Sequence, residues 1–386
     1  MNKIKTLITR ISLAVATVIM SFGLVPVANA QYLGTNGRII YGGIGDTSGL
    51  ATIMPNGTNI HVHGAMQNLS SRRFAVYSPD GTQFAWSQVV TGSPNHADIY
   101  TGAVAASVTG TARTNDTATN DMDPYYSADG SRIVFTRQTI QGGGSEIWVM
   151  NADGTGQTQL TDQINSGDSF MAVFDPSDTN NLYILNDGGA NGTRIYRISS
   201  TTANQNSGTL IFDPTVGTSV NFLDVHPNGN TLLYVVANTT TNREQIRSVT
   251  TAGASDTAIS QDNNEDYTTA AYSPDGTMIA SEKCSNCVDD EDIMVMMSAD
   301  GSNETSILSS TAQNDVILTS VSYWGTNNTT YSDTGTPGGT GNTPGVPNSA
   351  AISAIKKNTV PIALGVLSIV TFIGLGAFWI RKELKK

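Results

Sequence analysis

The sequence predicts an all-β fold: a six-bladed β-propeller of four-stranded antiparallel blades, its ends clasped, followed by a C-terminal transmembrane helix. Three observations carry this expectation. A turn signature recurs about every fifty residues, a second strand signature keeps a fixed offset from it, and an incomplete blade stands at each end of the array. The turn reads Tyr77-Ser-Pro-Asp-Gly81, Tyr126-Ser-Ala-Asp-Gly130, Phe174-Asp-Pro-Ser-Asp178, Val225-His-Pro-Asn-Gly229 and Tyr272-Ser-Pro-Asp-Gly276. From Asp80 to Asp129, Asp178, Asn228 and Asp275 the steps are 49, 49, 50 and 47 residues. A fixed period of this length marks a radial array of small sheets.

Each element of the period has its own chemistry. In the turn, Pro or Ala sits where φ near −65° is needed, Asp or Asn bonds locally, and Gly accepts the positive φ that follows. The copy at Phe174–Asp178 carries one extra residue before its next strand. An alternating strand comes after the turn, as in Gln83-Phe-Ala-Trp-Ser87 or Arg132-Ile-Val-Phe-Thr136. A third strand begins at Asp98-Ile, Glu146-Ile, Arg194-Ile, Gln245-Ile and Asp292-Ile, with Ile99, Ile147, Ile195, Ile246 and Ile293 in step. A further hairpin turn, Asn151-Ala-Asp-Gly154 or Ser298-Ala-Asp-Gly301, leads to the fourth strand.

The blade count follows from the ends. Gly37-Arg-Ile-Ile-Tyr41 and Thr52-Ile-Met-Pro-Asn-Gly57 match the later strands of a blade that lacks its first. Val321-Ser-Tyr-Trp-Gly325 matches the missing first strand. Pairing the two closes the ring and removes an open sheet edge, which gives six blades over residues 31–330.

These motifs resemble the TolB-type, WD-like β-propeller repeat, whose blades carry a Ser-Pro-Asp-Gly turn and a later segment ending in Asn-Ala-Asp-Gly and Leu-Thr. The best copy here is Ile147-Trp-Val-Met-Asn-Ala-Asp-Gly154 with Leu160-Thr161, and the resemblance covers roughly residues 37 to 327. It implies a propeller of a kind that serves as an interaction platform in some proteins and as an enzyme domain in others.

The ends of the chain predict its location. Lys3, Lys5 and Arg10, an apolar run from Ile11 to Val25, and Ala28-Asn-Ala30 read as a cleavable signal peptide over residues 1–30. Residues 331–358 form a stalk rich in Gly, Thr and Pro that holds no core. Residues 359–380 are apolar and uncharged, long enough for a helix to cross the membrane, and residues 381–386 are a basic cytoplasmic tail. The same order suits a wall-sorting signal, but the Leu-Pro-x-Thr-Gly sequence is missing, so the helix is expected to be retained. The expected product is a single-pass cell-membrane protein with its propeller outside the cytoplasm.

Charge narrows the partners. Of 20 Lys and Arg residues, three lie in the signal and six after Ser349, and Glu383 is the one acid outside the remainder. That leaves 11 basic against 31 acidic residues, a net of −20. Nucleic acid and anionic membrane surfaces are disfavoured. A basic protein or a cation suits this charge.

Candidate chemistry is sparse. Cys284 and Cys287 are expected to form a local disulfide outside the cytoplasm. The run Asp289-Asp-Glu-Asp292 offers oxygen ligands for Ca2+ but lacks the alternation and glycine of a calcium loop, so solvation is expected. His61 and His63 share one strand face with no obvious third ligand, which favours a surface or inter-blade role. Ahead of the blade turns stand Asp121 and Asp123, Asp168, Glu265 and Asp266, and Asp315. The loops carrying them meet around one mouth of the channel, so Asp121, Asp168, Asp266 and Asp315 form a candidate ligand mouth, with turn-stabilising Asp the competing expectation. With no nucleophile elbow, metalloprotease motif or phosphate loop, no catalytic residue or cofactor is assigned. The expected function is a non-catalytic platform for a protein, peptide or glycan; the alternative is an extracellular lyase or hydrolase using a cation at the mouth.

Overall fold

The computed structural model describes residues 35–330, apart from 45–46, 64–74, 93–94, 141–142, 189–191, 239, 242, 261–264, 286–291, 310–319 and 328. The segments read above as signal peptide, stalk, membrane helix and tail lie outside the described residues. Among the described residues no helix is long and apolar enough to cross a membrane.

Six four-stranded antiparallel sheets make up the described chain. Blade one is composite: its innermost strand is Ser320–Trp324, followed outward by Ile39–Ile44, Thr47–Ile53 and His61–His63. The other five are consecutive in sequence, with innermost strands Ala75–Tyr77, Thr119–Tyr126, Ser169–Phe174, Thr218–Val225 and Glu265–Tyr272. The expected clasp is therefore present. Ile39 pairs with Trp324, Ile40 with Tyr323 and Tyr41 with Val321, while Trp324 Nε1 donates to the Gly37 carbonyl at 3.0 Å.

The repeated turn does what its residues require. The Gly81, Gly130, Gly229 and Gly276 N–H groups each donate back to the first turn residue at 2.8 Å, and Ser78, Ser127 and Ser273 Oγ bond Asp80, Asp129 and Asp275 at 2.6, 2.6 and 2.7 Å. In blade four the extra residue lengthens the loop, so the Asp175 N–H reaches Asn181 where Ser78 reaches Gln83. One expectation is corrected. The second strands do not alternate in burial: Phe84 to Ser87, Ile133 to Thr136 and Leu232 to Val235 are buried without interruption. Each blade is sandwiched between two neighbours, so both faces of its middle strands are core.

The third-strand isoleucines have a shared anchor. Ile99, Ile147 and Ile246 N–H donate to Thr114 Oγ1, Thr161 Oγ1 and Ser260 Oγ at 2.9, 2.9 and 3.0 Å. In these three blades the hydroxyl after the fourth strand thus folds the chain back over its own blade before the next begins, which is the role of Thr161 in the Leu-Thr pair.

Innermost strands of blades one and three to six each carry a register shift against their neighbour. These bulges increase twist and aim side chains along the axis. Near the turn end, Tyr323 of blade one, Tyr125 of blade three and Asp224 of blade five meet. The Tyr125 and Tyr323 rings lie edge to face at 5.9 Å, Tyr125 Oη donates to Asp224 Oδ1 at 3.4 Å, and the Tyr272 N–H donates to Asp224 Oδ2 at 2.9 Å. Alternate blades touching across the axis close the channel at this level.

Candidate functional site

Innermost and third strands start on the same face of the ring, opposite the Ser-Pro-Asp-Gly turns. We call it the inbound face. Because Tyr125, Tyr323 and Asp224 block the axis near the turns, a ligand seated on the axis approaches from the inbound side.

The four candidate acids differ in environment. Asp121 has 0% exposure and is held bidentately by Arg137, at 2.7 and 2.8 Å, whose guanidinium stacks on Trp148. Asp121 and Arg137 are direct cross-strand partners. Asp266 is 1% exposed, accepts the Glu244 N–H at 2.9 Å and pairs with Arg243 at 3.4 Å. Asp168 is half-buried at the junction of blades three and four. Asp315 lies outside the described residues. Of the flanking acids, Asp123 is buried at a bulge with φ 53°, and Glu265 pairs with Lys283.

Around Asp168 gather carboxylates that the spacing of turns did not reveal. Its N–H donates to Asp187 Oδ1 at 2.7 Å. Glu146, at the start of a third strand, accepts Thr161 Oγ1 at 2.5 Å and the Gln163 N–H at 2.8 Å. The segment between is strained: Gln163, Asn165 and Ser166 have φ of 49°, 51° and 64°. Buried Asn186 holds it, with Nδ2 3.1 Å from Ile164 O and 3.2 Å from Gly167 O. Asn186→Ala takes this donor from the Gly167 carbonyl and from the Ile164 carbonyl, which keeps the Gly167 N–H, and is expected to lower stability by about 1–2 kcal/mol. A denaturant midpoint unchanged from wild type would refute that role. The sequence signal for Glu146 was the acid directly before the third-strand isoleucine, shared with Asp98.

Proton affinities separate the two faces. On the inbound face burial raises the pKa of Asp168, and Asp187 raises it further. Burial likewise raises Glu146, with Asp162 and Asp168 adding to the shift against bonds from Thr161 and Gln163, and raises Asp98 against Thr114 and the neighbouring His96, with Asp121 adding to it. On the turn face, burial of Asp80, Asp129 and Asp275 is outweighed by bonds from their turn hydroxyls and N–H groups, which lower them. Asp153 and Asp300 are lowered by the hydroxyls of Thr155 and Ser302. In these turns the bonds outweigh burial; at Asp98, Glu146 and Asp168 burial outweighs the bonds they accept.

The remaining candidates are placed as follows. Cys284 is 2% exposed and disulfide-bonded, while Cys287, Asp289, Asp290 and Glu291 lie outside the described residues. Nothing is described of the Asp292 side chain. His61 and His63 tie blade one to blade two through the Ala106 and Ala105 carbonyls at 3.0 and 3.1 Å, an inter-blade role. Among the described residues no group of three or more His, Cys, Asp or Glu is placed to hold a metal ion.

These features define a six-bladed β-propeller of four-stranded antiparallel blades. The structure superposes on TolB of Acinetobacter baumannii with TM-score 0.55 and 19% identity over 75% of this chain and 66% of that one, just under two thirds of its length. A TolB structure from Agrobacterium tumefaciens matches with TM-score 0.54 and 17% identity over 71% of this chain and 89% of that one. A chain of a nidogen/laminin complex matches with TM-score 0.51 and 12% identity over 73% of this chain and 95% of that one. At these identities the likeness is one of fold. The chain matches no family model and no curated protein sequence.

Proposed function

We propose that the protein is a membrane-anchored binding platform outside the cytoplasm, whose inbound face takes a basic segment of a partner protein or peptide. The observation that carries this reading is the contrast between faces: raised carboxylates at Asp98, Glu146 and Asp168, lowered ones at Asp80, Asp129 and Asp275 in the turns. A cationic ligand relieves the first set and gains nothing from the second. The blocked axis supports the same face. That a chain of a nidogen/laminin complex shares the fold agrees with a protein partner.

The test is binding of a deca-lysine peptide to the full chain in detergent, with deca-glutamate as control. Glu146→Gln with Asp168→Asn is expected to weaken deca-lysine binding about tenfold, roughly 1.4 kcal/mol, and added salt to weaken it in wild type. Equal binding by wild type and double variant would overturn the reading. The raised carboxylates take up protons before ordinary ones as pH falls. Affinity for the cation should therefore decline on acidification, starting above the usual carboxylate range and recovering as pH rises.

Topology has its own test. Protease added to intact cells is expected to cut within residues 331–358 and release the propeller; protection of that segment would place the propeller inside.

A further inference from the structure

We propose that blade one carries an acid-sensitive latch on the ring, built from His63, Thr52 and Arg38. The geometry fixes every proton in it. His63 Nδ1 lies 3.1 Å from the Ala105 carbonyl, which only accepts, so Nδ1 carries the hydrogen and Nε2 is bare. Nε2 lies 3.2 Å from Thr52 Oγ1, whose hydroxyl must donate to it. Thr52 Oγ1 in turn accepts from Arg38 Nε at 2.8 Å, and Arg38 Nη1 donates to the Thr329 carbonyl at 3.0 Å. Donation thus spreads from Arg38 both ways, to the C-terminal return at Thr329 and through Thr52 and His63 to blade two.

A proton on His63 Nε2 reverses the donor in the middle of this chain. Thr52 Oγ1 would then face two donors, Arg38 and His63, and its own hydrogen would lose its acceptor. The added charge also falls in a place with no exposure, since His63 and Arg38 are both 0% exposed. Among the described residues, the charged and titratable groups that act on His63 include His61, whose ring centroid is 4.7 Å away on the same strand, and Arg38, both of which oppose protonation. Thr52 from the adjacent strand, and Phe84 and the Ala105 carbonyl from blade two, are neutral. Burial, His61 and Arg38 together lower the His63 pKa from 6.5 to about 3 despite the bond to Ala105. The sign follows: an opened latch takes a proton that the closed latch refuses between those values, so acid favours opening and neutral pH favours closure. Blade one is where opening has a structural route, because its strands come from both ends of the propeller.

Native-state hydrogen exchange of the full chain in detergent tests this, comparing clasp amides of Ile39, Ile40 and Trp324 with Ile133 and Val134 in blade three. After correction for intrinsic chemistry, the opening equilibrium of the clasp is expected to rise about 25-fold from pH 7 to pH 5, the ratio set by pKa values of 6.5 and about 3. Blade three should change little, and in His63→Gln, which keeps a donor and an acceptor but does not titrate, the clasp should change little too. Equal acceleration in both blades, or an undiminished clasp response in His63→Gln, would overturn the latch. Should that variant not fold, the 15N spectrum of wild-type imidazoles decides: the Nδ1–H tautomer of His63 at pH 7 supports the relay, and Nε2–H refutes it.

Discussion

Arg38→Ala is expected to lower the unfolding free energy by about 3–5 kcal/mol. Arg38 is wholly buried, and its guanidinium donates to Thr52 Oγ1 at 2.8 Å, Thr52 O at 2.9 Å, Asn59 Oδ1 at 2.6 Å, Asn59 O, and Thr329 O at 3.0 Å. Those oxygens belong to the third strand of blade one, the turn beyond it and the returning C-terminal segment. Removing the side chain opens a cavity and takes away every donor that joins Thr52, Asn59 and Thr329 through this guanidinium. Arg38→Lys should recover only part of the loss, because an ammonium has three donors and no planar fork to span these positions. Urea unfolding of the two variants beside wild type makes the measurement. A loss under about 1 kcal/mol in Arg38→Ala would mean that strand pairing alone closes the ring.

The second large effect is expected at Gly301, where alanine should cost about 2–4 kcal/mol. Its φ is +85°, and a Cβ there would lie 2.0 Å from the Ile259 carbonyl oxygen of the preceding blade. Gly57, Gly154 and Gly253 make the same approach to Ile307, Arg113 and Ile211, so the second hairpin turn of a blade is seated against the outer edge of its neighbour. Gly130 separates the two causes. Its φ is +70°, but the nearest outside atom to a Cβ is Pro79 Cδ at 3.6 Å. Gly130→Ala should therefore cost only the backbone penalty, about 1–2 kcal/mol. Equal losses in the two variants would show that blade-to-blade contact adds nothing at Gly301.

Much of the fold was legible because its signals are local. The bond of Ser78 to Asp80 spans two residues, and the return from the Gly81 N–H to Ser78 spans three. Such contacts are decided before any tertiary structure exists, so each copy announces itself in sequence. The clasp was legible for a related reason: a blade missing one strand at one end and a spare strand at the other have one economical pairing. The candidate site was less legible. Asp121 and Asp168 stand at comparable offsets, yet Asp121 is neutralised by Arg137 directly across the sheet while Asp168 faces Asp187 and Glu146. Spacing along the chain gives the face on which an acid stands and leaves open what stands opposite it.

Sequence by itself therefore determined the period, the blade count, the closing strand, the acidic character of the propeller and the face its inbound loops share. Tertiary structure alone decided that Tyr125, Tyr323 and Asp224 meet across the axis, that Arg38 and His63 join in one network, and which inbound carboxylates burial raises. The physical reason is range. Turn and strand chemistry acts over a few residues, whereas the partners of a buried charge are chosen by the rotation between blades, which brings together residues far apart in the chain.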